Sequence, residues 1–200
     1  SNPTQPRQPP SGADQAAFQS AILRPAMAPP DQAGEKPMPD ANDSPYRNNL
    51  CGHPGPREEL VETAGLDRFE RAALEVIRLI LSDMAGHRPR YAPDTTQLAQ
   101  ARFGWQRGGA ILAGLTAFAQ TMSLSRRDTF HYSNPYCPGC CQVLTQGEGH
   151  LLRLLHHMRR GQRGRAMAHA LILCEARPVA ALLDAASDLA SLVPPGTDPQ

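Results

Sequence analysis

Three times along this chain a capping residue stands three positions ahead of Glu or Gln, at the head of a run with helical apolar spacing. The segments are Asp67-Arg68-Phe69-Glu70, Asp94-Thr95-Thr96-Gln97 and Thr145-Gln146-Gly147-Glu148. In such a box the first side chain accepts from the backbone N–H three residues on, and the Glu or Gln reaches back to the first backbone N–H. Two of the donors that every helix start leaves orphaned are then satisfied locally. A chain with three such starts is committed to helices.

The apolar spacing agrees. Phe69, Ala73, Val76, Ile77, Ile80 and Met84 recur on one face of a first helix, with Ala72 and Leu79 widening the stripe. Gly86 suits its C-terminal end, and Pro89 prevents continuation. Glu58, Glu59 and Glu62 precede it and predict an earlier helical turn. The second region opens after Pro93 with Leu98, Ala99 and Phe103. Gly104 allows a break, and Trp105 begins a longer piece with Ile111, Leu112, Leu115, Phe118, Ala119 and Met122 on one side. Gly108, Gly109 and Gly114 each cost about 1 kcal/mol against Ala in a helix interior. They mark close helix approach or a kink, because no strand precedes them as a phosphate loop requires.

A third helix starts at Thr145, buries Leu151, Leu152, Leu155 and Met158, and ends at Gly161. A fourth runs from about Gln162 to Glu175, with Met167, Ala170, Leu171 and Cys174 as its apolar stripe. Pro178 is placed as the first residue of a fifth, whose stripe is Leu182, Ala185, Ala186, Leu189 and Val193. Phe130–Tyr136 is the one aromatic stretch that reads as extended. The fold class is therefore all-α: a small bundle of about five helices over residues 58–194, with a Cys-containing loop before a helical hairpin.

Residues 1–57 hold more than half of the prolines and no sustained apolar periodicity. Such a segment buries too little apolar surface to offset its ordering entropy, so a disordered arm is expected, with a short tail at 195–200. Net charge is +1, which gives no global nucleic-acid or membrane signature. No stretch approaches the roughly 18 apolar residues of a membrane span, and residues 1–30 lack the pattern of a secretory signal. Five cysteines, three of them within residues 137–141, argue for a reducing, cytoplasmic setting with free or metal-bound thiols.

Cys137-Pro138-Gly139-Cys140 is the sharpest chemical motif. Two intervening residues let both sulfurs converge on one ion through a tight turn. Further ligands follow from geometry. If the third and fourth helices form an antiparallel hairpin about Gly161, Cys174 is level with Glu148 in the first turn of the third helix. Cys141, His131 or His150 supplies the fourth ligand. The expectation is a zinc site drawn from Cys137, Cys140, Cys174, Cys141, His131 and His150. Against it stand inert cysteines, with Cys174 a small buried hydrophobe, and a redox dithiol before a helix N-terminus. Cys51-Gly52-His53 reads as an incidental pair in the arm.

Arg153, Arg159, Arg160, Arg163 and Arg165, with His156 and His157, cluster around the hairpin turn. Arg159 and Arg160 suit the negative end of a helix dipole, whereas Arg163 and Arg165 begin a helix where the dipole disfavours cations. That misfit points to a protein or other anionic partner at this edge. LAQARFGWQRGGAILAGL loosely resembles the Leu-Ala…Gly…Ile pattern of a helix-turn-helix. There the turn Gly usually follows the Ala by four residues, and here the separation is five.

No hydrolase, metalloprotease or phosphate-loop motif is present, so the chain reads as non-enzymatic. The expected function is a regulatory or adaptor protein whose cysteine loop pins a hairpin with a basic edge. The alternatives are a DNA-binding regulator using residues 94–120 or the arginine turn, and a thiol redox protein.

Overall fold

The computed structural model describes residues 53–196 and the backbone of residues 23–25. Six helices follow in order: α1 Arg68–Met84, α2 Thr95–Phe103, α3 Trp105–Leu124, α4 Gln146–Arg159, α5 Arg163–Leu173 and α6 Ala180–Leu192. Four very short strands accompany them: β1 Leu23–Pro25, β2 Glu59–Leu60, β3 Phe130–Tyr132 and β4 Val143–Leu144. β1 runs parallel to β3, and β2 pairs antiparallel with β4.

The boundaries follow the local signals. The capping boxes at Asp67/Glu70 and Thr145/Glu148 are both complete. At Asp94 the carboxylate accepts from the Gln97 N–H at 2.8 Å. Gly86, at φ +69°, follows the end of α1, and the His87 N–H returns to the Ser82 carbonyl at 2.9 Å. That bond closes the turn as glycine-terminated helix ends do. Gly104, at φ +83° and ψ 151°, ends α2 and starts α3, so the second region is two helices and the total is six. A single residue joins α2 to α3, where a helix-turn-helix uses three or four.

α1 is the central element. Besides the predicted stripe it buries Leu74 and Leu81 on other faces. One apolar cluster joins α1 to residues of α2–α6 and to Phe130 and Tyr132 of β3. A smaller one joins Leu74, Leu144 and Leu152, with Val61, Ala64 and Leu66 packed against it. This second cluster explains why Glu58–Glu62 is not a helical turn. Glu59–Leu60 is extended as β2 and pairs with β4, the Val61 N–H continues the pairing to the Gln142 carbonyl, and Val61 packs against this cluster, which outweighs weak local helix preference.

α4 packs chiefly on α5, and α3 lies against both α2 and α6. The face of α5 differs from the expected stripe. Ala166, Ala170, Leu173 and Cys174 are buried, whereas Met167 and Leu171 are 41% and 40% exposed. Small alanines on the inner face let the two helices approach closely, and the longer side chains turn outward. α6 begins at Ala180, so Pro178 precedes the helix and is not its first residue. The predicted disordered arm lies outside the described residues except at 23–25 and 53–57. Cys51 is outside them too, and His53 is exposed.

Candidate functional site

The cysteine loop, between β3 and α4, is held by a buried ion pair. Arg78 of α1 donates through Nε to Glu148 Oε1 at 2.6 Å and through Nη2 to Oε2 at 2.9 Å. Its other donors reach two loop carbonyls, Cys141 and Val143, each at 2.6 Å. Glu148 also accepts from the Ser133 N–H at 3.1 Å and the Thr145 N–H at 2.9 Å. The Ser133 hydroxyl donates to the Val143 carbonyl and the Thr145 hydroxyl to the His131 carbonyl. Each buried polar group in this set has a partner, which is what permits a charge pair in an apolar interior. Glu148, the carboxylate of the α4 capping box, thus doubles as the counter-charge for Arg78 of α1.

Within the loop, the Cys140 N–H points at Cys137 Sγ at 3.4 Å, and the Cys141 thiol donates to the Pro138 carbonyl at 3.1 Å. These three thiols are half-buried. Cys174 is not with them. The hairpin register is close to the one expected, since His150 meets His169 and His157 meets Gln162. Cys174 nevertheless turns into the main core, beside Ser125 and Arg126, and burial pushes its thiol up. His131 is exposed on β3 and, with His150, Arg57 and Arg126, lines a cleft of about 470 Å³ at the first turn of α4. The six expected zinc ligands therefore fall in three places. Among the described residues, no group of three or more His, Cys, Asp or Glu side chains is arranged to hold a metal ion.

The arginines divide in two. Arg159 is 6% exposed. It donates to Asp67 Oδ2 at 2.7 Å, Glu70 Oε1 at 3.1 Å and the Val193 carbonyl at 2.9 Å, and stacks over the Phe69 ring. Arg160 and His156 also reach Glu70 Oε1, at 3.2 and 3.0 Å. Arg153 pairs with Glu59. Arg159 is thus a core residue and not the partner-facing one the sequence suggested, because the buried Glu70 requires a counter-charge. Arg163 and Arg165 remain exposed. Arg163 makes a loose contact of 3.5 Å to Asp184, and Arg165 one of 3.5 Å to Gln162.

A row of histidines lies along the α4–α5 groove. His150 Nδ1 and His169 Nδ1 are 3.0 Å apart. The His157 ring stacks on His169, with centroids 5.5 Å apart and planes 11° apart, and His156 meets His157 edge-on. Burial lowers the pKa of both His150 and His169. Arg153 adds to this at both, and His150 and His157 add to it at His169. His169 was absent from the sequence-derived set. The signal was available: His150 stands eleven residues before Gly161 and His169 eight after it, so a hairpin brings them nearly level.

No protein-family model matches the chain, and no curated protein or solved structure is significantly similar to it. No helix among the described residues is long and apolar enough to cross a membrane.

Proposed function

We propose that the protein is a non-enzymatic adaptor or regulator that offers the outer face of α5 to an acidic protein partner. One observation carries this reading. Met167, Leu171 and Ile172 (54% exposed) stand in water beside Arg163 and Arg165. Long apolar side chains flanked by arginine are the composition of an interface centre, where charged lysine and glutamate are depleted. Arg159 and Arg160 fix the end of α4 to the start of α1.

A photo-crosslinking residue at position 167, in the cells that make the protein, tests this. A discrete adduct is expected there and none from position 120 on α3, and Arg163→Glu with Arg165→Glu should abolish it. If position 167 yields no adduct at normal protein levels, the reading is wrong.

A second reading is favoured by the Cys140 N–H directed at Cys137 Sγ. That contact holds the two residues in the tight turn that zinc ligation or thiol exchange requires. Stoichiometric zinc, or rapid alkylation near neutral pH, lost in Cys137→Ser would support it. Absence of both would end it.

A further inference from the structure

The His150–His169 pair has a geometry that neither partner docking nor the cysteine loop uses. His150 is the fifth residue of α4 and His169 sits in the middle of α5. Their Nδ1 atoms face each other at 3.0 Å. Two imidazole nitrogens bound to one ion at about 2.0–2.1 Å lie roughly 2.9 Å apart at a right angle and about 3.4 Å apart at a tetrahedral angle. The observed separation is already that of two adjacent ligands at a right angle. Such angles belong to square-planar or octahedral ions, and imidazole is a preferred ligand of copper(II) and nickel(II).

The surroundings favour this use. The His157 ring lies flat on His169. It is itself oriented by a 2.8 Å contact between its Nδ1 and Gln162 Oε1, so His169 cannot swing freely. Neutral imidazole is the ligating form. Arg153 is the nearby opposing charge, and Glu59 pairs with it. His150 and His169 are both half-buried, so solvent can reach them. No third His, Cys, Asp or Glu completes a set among the described residues, which leaves the other coordination positions to water.

We propose that His150 and His169 together chelate one divalent transition-metal ion of the nickel(II) or copper(II) type through their Nδ1 atoms, cross-linking α4 to α5. Before binding, one Nδ1 carries the proton that the two share. On binding, that proton passes through solvent to the Nε2 of the same ring. Both rings then remain neutral, with no net proton released.

The test uses tag-free, chelator-stripped full-length protein carrying Cys137→Ser and Cys140→Ser, titrated with NiCl2 by calorimetry. One equivalent should bind and raise the melting temperature, as any ligand selective for the folded state does. His150→Gln and His169→Gln should each weaken binding by about tenfold or more, whereas His87→Gln should leave it unchanged. Circular dichroism establishes that each variant is folded. With copper(II), the electron paramagnetic resonance spectrum should show hyperfine splitting from two nitrogens, reduced to one in His169→Gln. No saturable equivalent, or binding that survives both folded single variants, overturns the proposal.

Discussion

The Arg78 guanidinium and the Glu148 carboxylate meet edge to edge, with both side chains almost wholly withdrawn from water at 3% and 1% exposure. Seventy residues separate them, and together they fasten the cysteine loop to the central helix. Arg78→Met leaves the Glu148 charge buried without its partner. A loss of about 3–5 kcal/mol is expected, read as a lower urea midpoint at unchanged slope. A variant as stable as wild type would show that the pair contributes nothing to holding the loop.

Arg159 and Arg163 are close in sequence but differ in role. Arg159→Met takes from the buried Glu70 one of its two guanidinium partners, leaving Arg160, and strips the Val193 carbonyl of its donor; it should cost about 1–3 kcal/mol. Arg163→Glu should change stability by no more than about 0.5 kcal/mol. Equal effects on the thermal unfolding midpoint would contradict this division of the basic cluster.

Adjacent glycines of α3 should respond in opposite directions. A Cβ on Gly108 would lie 2.8 Å from Gln100 Cα and 3.0 Å from the Ala99 carbonyl oxygen, both backbone atoms of α2. Gly108→Ala must therefore push α2 and α3 apart, at a cost of about 1–3 kcal/mol. Gly109 has open space, and Gly109→Ala should stabilise by about 0.5–1 kcal/mol. Denaturant melts of the two variants decide the matter.

The histidine pair makes stability depend on pH. Burial, and then neighbouring positive charge, holds both folded-state pKa values below the usual 6.5. The unfolded chain consequently takes up protons first as pH falls. Stability should be full above about pH 6.5 and decline below it, until the folded rings protonate as well. In chelator-treated protein, the drop between pH 7.5 and 5.5 should be smaller in His169→Gln than in wild type. An identical drop would refute it. Asp67 acts in a separate window. Burial alone would raise its carboxyl, but the Glu70 N–H with Arg159 and Arg160 outweighs that and holds it low. Its contribution is present above about pH 3.8 and is lost as pH falls through the lowered value.

The thiols should separate kinetically. Cys174 is fully buried, and burial pushes its pKa up, so its thiolate is scarce and hidden. In native protein, iodoacetamide should label Cys137, Cys140 and Cys141 well before Cys174, as mapped by peptide mass spectrometry. Early labelling of Cys174 would place it outside the core.

Much of the helical framework was legible because its determinants are local. Asp67 and Glu70 are three residues apart, and the bonds between them need nothing from elsewhere in the chain. The same holds for Thr145 with Glu148 and for the left-handed turn at Gly86. The expected helical turn at Glu58–Glu62 failed for the opposite reason. Its strand at Glu59–Leu60 depends on Val143 and Leu144, more than 80 residues away, and on the cluster of Leu74, Leu144 and Leu152 against which Val61 packs.

At the candidate site the same distinction holds. By itself the sequence determined that α4 and α5 form a hairpin about Gly161, and so which residues lie level along it. Only the tertiary structure decided which way each of them faces. Cys174 arrives at the expected height but points into the core, because Ala166 and Ala170 make the close-packing face of α5 and rotate Cys174 inward with them. The same rotation sets His169 against His150 and leaves Met167 and Leu171 in water. Periodicity predicts that a helix has an apolar face. The shape of the neighbour it packs against selects which of several apolar faces is buried.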